Sequence, residues 1–294
     1  MWSAAADLFP SRPAAPGTQV EAAAVRWHLV EDHPDAGGLP LLMLHGYLAA
    51  SHVWQPLRDA LGEHGARRSI AADLPGCGYS DRPSQAPYDV PWLRDRTVEL
   101  LDALRIERAI LVAHSLGGAV ALHLAAHAAD RVAALVLLAP LCFSTPLPKI
   151  LAPAARHPGV FKLFFRTLGR PLVVPAMLGN YHGTKPEQAR AMARLSLAHL
   201  DAAGGWTAAT RMGVAAAFRA DMNAWLGRVQ APALVVYGDG DRVHPSALGQ
   251  RLVDSLPRAR ACVVEACGHN PHLEQPAWVA REISGWLHEQ GLEG

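Results

Sequence analysis

The stretch Ile110-Leu111-Val112-Ala113-His114-Ser115-Leu116-Gly117-Gly118-Ala119-Val120 decides the fold. An apolar run with β-branched residues leads into a small-x-Ser-x-Gly turn and then into an Ala/Leu-rich stretch, which reads as strand, sharp turn and helix. A serine at such a turn is pushed out beyond the end of a sheet with its hydroxyl exposed. Only small residues fit two positions before and after it, because backbone and helix pass close by. Gly117 meets that requirement, and Ala113 adds one methyl where glycine is usual. Taken alone, the pentapeptide also fits a glycine-rich turn between a buried strand and a helix.

A serine hydroxyl is a weak nucleophile at neutral pH. It needs a base to take its proton, and the base needs an acid to fix its tautomer and stabilise its charge. Two downstream segments supply candidates, each just after a strand-like run. Ala233-Leu234-Val235-Val236-Tyr237 leads into Gly238-Asp239-Gly240-Asp241, and Ala261-Cys262-Val263-Val264-Glu265 leads into Gly268-His269-Asn270-Pro271-His272. Upstream, Leu41-Leu42-Met43-Leu44-His45-Gly46-Tyr47 is another buried strand, ending in a His-Gly turn. From about Val25 to about Trp286, with a variable insert in the middle, the chain resembles the α/β-hydrolase family. The four motifs stand in that family's order.

The resemblance implies a role for each matching position. Ser115 matches the nucleophile, Asp241 the acid and His269 the base, while the backbone N–H groups of Tyr47 and Leu116 match the oxyanion hole. Asp73-Leu74-Pro75-Gly76-Cys77-Gly78-Tyr79-Ser80 matches a loop that shapes the fold near the site, which makes Asp73 structural. The implied activity is hydrolysis of a carboxylic ester through an acyl-enzyme. The alternatives are a carbon–carbon bond hydrolase or lactonase on the same triad, and a non-hydrolytic small-molecule receptor that retains it. Serine at the elbow disfavours the epoxide hydrolases and haloalkane dehalogenases of this fold, which use aspartate there. The Tyr47-Leu48-Ala49-Ala50-Ser51 turn lacks the glycine-rich run of many carbon–carbon bond hydrolases.

Strand-like runs alternate with helix-like ones over most of the chain, which implies an α/β fold. The expected architecture is a mostly parallel, doubly wound sheet with the ligand site at the strands' carboxyl ends. Val20 to Val30 reads as an early strand or hairpin, His52 to Leu61 and Pro91 to Leu104 as helices, and Arg68 to Asp73 and Val132 to Leu138 as strands. The expected organisation is a loose arm over 1–18, an α/β core over 19–140 and 228–294, and a helical cap over 141–227. The cap segment is strongly apolar, with Phe161, Phe164, Phe165, Leu172, Val173, Val174 and Met177. It fits either an apolar lid over the site or an extra helical layer packed on its own core.

Composition fits this reading. The chain has 294 residues, half of them hydrophobic, a net charge of +1 and no charged run that would suit nucleic acid. Cys77, Cys142, Cys262 and Cys267 lack metal-ligand spacing and are too sparse for a disulfide framework. No HExxH, GxGxxG or P-loop pattern occurs, so no metal and no cofactor is expected. Ala109 to Ala129 carries no Asp, Glu, Lys or Arg, but strand, elbow and helix buried in a parallel-sheet protein explain this better than a membrane span. A cytoplasmic enzyme acting on a small-molecule substrate is the expectation. Among the remaining histidines, His45 reads as structural, His114 as packed or hydrogen-bonded beside the serine, His244 as exposed, and His272 as loop support.

Overall fold

Eight strands form one sheet in the order β1-β2-β4-β3-β5-β6-β7-β8. They are β1 (Thr18–Ala22), β2 (Val25–Asp32), β3 (Leu41–Leu44), β4 (Ser69–Ala72), β5 (Ala109–His114), β6 (Val132–Leu138), β7 (Ala233–Gly238) and β8 (Ala259–Val264). The first three in spatial order pair antiparallel, and every pair from β4 onward is parallel. The computed structural model describes residues 17–143, 186–217 and 223–292. The early hairpin begins at Thr18, which pairs with Leu29, so this residue belongs to the sheet and not to the arm.

The period of two along a strand sends alternate side chains to opposite faces, and the core follows it. In β5, Leu111 and Ala113 join one buried cluster, while Ile110 and Val112 join the other. The first cluster is completed by α2 (Val90–Ala103), α3 (Leu116–His127) and α7 (Ser246–Ser255). The second is completed by α1 (Gln55–Gly62) and α9 (Pro276–Glu289). Helix starts are locally encoded: Asp89 caps α2 by accepting from the Trp92 N–H at 2.9 Å, and Pro91 sits in its first turn.

Helix α3 is apolar all round because it is buried nearly all round. This accounts for the uncharged stretch that includes it. No described helix is long and apolar enough to cross a membrane.

Between β6 and β7 the described residues form α4 (Pro186–Leu200), α5 (Gly205–Ala217) and the short α6 (Asn223–Leu226). Helices α4 and α5 lie against the loops that follow β3 and β4. Arg211 donates to the Ala86 carbonyl at 3.1 Å, and Arg82 reaches the His199 carbonyl at 3.5 Å. The phenylalanine-rich part of the insert, together with Leu172, Val173, Val174 and Met177, lies outside the described residues.

Candidate active site

Ser115 directly follows β5 and opens α3 with φ 48° and ψ −114°. An L-residue with a side chain rarely holds a positive φ; such strain costs on the order of 1–3 kcal/mol and persists only where the surroundings fix it. They do so here. The Ser115 N–H is bonded to the Leu138 carbonyl at 3.1 Å, and its carbonyl accepts from Leu141 at 2.8 Å. A Cβ on Gly117 would stand 2.1 Å from the Leu44 carbonyl oxygen, so no larger residue fits two positions after the serine. Ala113 is fully buried in β5 and its methyl is accommodated in the core. Ser115 itself is only 9% exposed, less than the sequence pattern predicts.

Two features flank the serine. The His45-Gly46 turn packs directly on it: a Cβ on Gly46 would be 3.1 Å from Ser115 Cβ and 2.8 Å from His114 Nδ1. The amides of Leu116, Gly117 and Gly118 belong to the first turn of α3, where backbone N–H groups have no partner within the helix and carry its positive end. His45 is held as a neutral Nδ1–H tautomer. The Leu74 N–H donates to its Nε2 at 3.0 Å, its Nδ1–H donates to the Gly46 carbonyl at 2.8 Å, and burial lowers its pKa.

Asp241 and His269 meet across the ends of β7 and β8. His269 Nδ1–H donates to Asp241 Oδ2 at 2.9 Å, while Asp241 Oδ1 accepts from the Val243 and His244 amides at 2.8 and 2.9 Å. Burial pushes the Asp241 carboxyl upward, but the His269 bond and charge and the two amides outweigh it and leave the pKa lowered. The neighbouring Asp239 is exposed and braces the loop through the Cys267 amide at 3.1 Å. A Cβ on Gly238 would meet the Cys267 and Gly268 carbonyl oxygens at 2.2 and 2.3 Å, so glycine lets the two loops touch.

Three residues near His269 do more than the sequence suggested. His114 donates from Nε2 to the His269 carbonyl at 2.8 Å, with the two rings 4.8 Å apart. Glu274 accepts the Gly268 and Asn270 amides at 3.0 and 3.1 Å, gripping the loop on both sides of His269. A carboxylate reaching back to the N-cap amide of a short helix, here α8 (Pro271–Glu274), is the one local pattern that could have flagged it. His244 is buried, not exposed as expected, because its amide is drawn onto Asp241 and its ring lies 5.1 Å from that of His269.

His272 is fully buried between Trp54 at 4.7 Å and His114 at 4.6 Å. Burial, then the charge of His269, lowers the pKa of His272 to about 3 and that of His244 to about 4. His114 is held well below its usual value by burial and its imidazole neighbours. These rings are therefore neutral at neutral pH. Among the described residues no cluster of His, Cys, Asp and Glu could hold a metal ion.

A family model for the alpha/beta hydrolase fold matches residues 40–276. The chain is 31% identical over 279 residues to a 2-hydroxymuconate semialdehyde hydrolase of Pseudomonas sp. (strain CF600), covering 93% of this chain and 94% of that protein. It is 30% identical to a pimeloyl-[acyl-carrier protein] methyl ester esterase of Nitrosomonas europaea, covering 81% and 92%. Among solved structures, a thermophilic esterase from Thermogutta terrifontis superposes with TM-score 0.77 at 24% identity, over 94% of this chain and 99% of that one. Sheet order, elbow geometry and these similarities together place the chain in the α/β-hydrolase fold family.

Proposed function

We propose that the protein is a serine hydrolase that cleaves a carboxylic ester through an acyl-enzyme, with Ser115, His269 and Asp241 as its triad. The observation that carries the reading is the strained Ser115 turn, tied through His114 to the loop of a buried Asp241–His269 pair whose Nδ1 is already committed to the carboxylate. With Nδ1 donating, Nε2 is the nitrogen left to take the Ser115 proton as Oγ attacks the acyl carbon. The Tyr47 and Leu116 N–H groups stabilise the resulting oxyanion. His269 then protonates the leaving alkoxide, and a water activated in the same way releases the acid.

The segment 141–227 acts as the cap over an apolar acyl or alcohol pocket, and the placement of α4 and α5 over the loops after β3 and β4 supports this. The substrate is a small molecule. None of Cys77, Cys142, Cys262 and Cys267 is in a disulfide, which suits the reducing cytoplasm. A second reading, in which the same residues cleave a carbon–carbon bond, is favoured by the 31% identity to the 2-hydroxymuconate semialdehyde hydrolase.

The test is S115A. Turnover of a p-nitrophenyl ester should fall on the order of 10³-fold or more with the fold intact. Wild-type kcat in the purified variant contradicts the assignment.

A further inference from the structure

Tyr47 is held at both of its ends. Its main chain directly follows Gly46, which rests on Ser115, and the next residue, Leu48, takes a left-handed φ of 59°. Its side chain packs on the edge of the core and donates from the hydroxyl to the Ala209 carbonyl of α5 at 2.9 Å. One residue thus spans 162 positions of sequence, from the turn beside the nucleophile to the inserted helices.

The helix is shaped to receive it. Gly213 lies one turn beyond Ala209 in α5, and a Cβ there would stand 2.7 Å from the Tyr47 hydroxyl and 3.1 Å from Cζ. Glycine inside a helix is unfavourable relative to alanine, by roughly 1 kcal/mol, and a close approach is the usual reason to keep it. The space between this turn and the helices α4 and α5 is nearly closed: the cavity bounded by Tyr47, Leu48, Ser196, Ala209 and Met212 measures only about 10 Å³. The turn and α5 are therefore in direct contact, and displacement of the helix pulls on the phenol.

We propose that Tyr47 is a positioning residue that couples the seat of α5 to the placement of its own backbone N–H. The proposal rests on the reading above, in which that N–H faces the oxyanion. Helix α5 seated on the turn fixes the N–H where the negative charge develops; helix α5 lifted leaves the turn without its outer anchor. The coupling acts on the transition state and leaves ground-state binding largely unchanged, because the hydroxyl itself is consumed by Ala209.

The experiment compares wild type, Y47F, G213A and the double variant on p-nitrophenyl butyrate, with inhibition by butylboronic acid and by butyrate read alongside. The boronic acid forms a tetrahedral adduct with Ser115 Oγ and draws fully on the oxyanion donors; butyrate, planar and not bonded to Oγ, depends on them less. Y47F should lower kcat about tenfold, less than the 10²-fold or more that follows loss of a whole oxyanion donor. KM should stay within about twofold.

Boronic-acid affinity should weaken with kcat while butyrate inhibition holds. G213A should reproduce the loss by displacing the hydroxyl, and the double variant should be no worse than Y47F alone. Unchanged kcat in Y47F while S115A is inactive overturns the tether and leaves the triad standing. Equal weakening of the boronic acid and butyrate, or additive losses in the double variant, also overturns it. Activity surviving in S115A overturns the underlying reading instead.

Discussion

Among the described residues, two buried aspartate–histidine pairs have nearly the same geometry. His28 Nδ1 lies 2.8 Å from Asp73 Oδ2, and His269 Nδ1 lies 2.9 Å from Asp241 Oδ2. Both carboxylates also accept two backbone amides, Ser51 and Tyr79 for Asp73, Val243 and His244 for Asp241. In both, burial alone would raise the carboxyl pKa, and the histidine and the amides reverse it. What separates them is the far side of the imidazole. His28 stands in the antiparallel strand β2, and its Nε2 is buried without a hydrogen-bond partner among the described residues, so close to Gly17 that a Cβ there would be 2.7 Å away. His269 sits on a loop at the carboxyl end of the parallel sheet, tied by His114 to the elbow that carries Ser115. An aspartate–histidine pair is a strut or a base according to whether its second nitrogen faces a reacting group.

The sharpest way to break this contrast is to neutralise each carboxylate in turn. D241N should lower kcat by about 10³- to 10⁴-fold in molecules that remain folded, since the amide favours the wrong imidazole tautomer. D239N should cost far less, because that carboxylate braces a loop and does not touch His269. D73N should destabilise the fold by about 3–5 kcal/mol as a buried pair is broken, while folded molecules keep their turnover. Urea unfolding beside steady-state kinetics separates the cases. Similar activity losses at Asp73 and Asp241 would erase the distinction.

A second test uses chain length. If α4, α5 and the apolar insert line the acyl pocket, butyrate to octanoate esters should exceed acetate esters. Two added methylenes at roughly 0.8 kcal/mol each give about tenfold in kcat/KM. Acetate as the best substrate would count against a cap pocket.

A third test concerns the imidazoles around the site. His272, His244 and His52 have folded pKa values of about 3, 4 and 3, against 6.5 in the unfolded chain. Between pH 6.5 and that range the unfolded state binds more protons. Stability is therefore full above pH 6.5 and is lost as pH falls, by up to about 1.4 kcal/mol per pH unit per group. H272F, which keeps a ring between Trp54 and His114, should flatten the decline between pH 7 and 5. An unchanged slope would mean that His272 does not carry its share.

The elbow was legible because everything that makes it is local: β-branched residues before the serine, small ones after it, and an apolar helix beyond. The strands β3, β5, β6 and β7 were legible for the same reason, as uncharged runs bounded by turn residues. The environment of His269 was not. His114 is 155 positions away and meets it only because β5, β6, β7 and β8 lie side by side. The burial of His244 depends on how the Asp241 loop closes, and the Tyr47–Ala209 contact depends on where an inserted helix lands. Spacing along the chain encodes periodicity and turns, whereas these contacts are set by sheet order, loop closure and the seat of the insert.

The central claim is that His269, held by Asp241, activates Ser115. A fluorophosphonate probe followed by peptide mapping tests it most directly, because Ser115 Oγ must displace fluoride from phosphorus to be labelled. The account predicts labelling at Ser115 alone in the wild-type protein, slowed on the order of 10³-fold in H269A and unaffected by alanine at the strut residue His28 in molecules that remain folded. Labelling at another residue, or undiminished labelling of Ser115 in H269A, would contradict it.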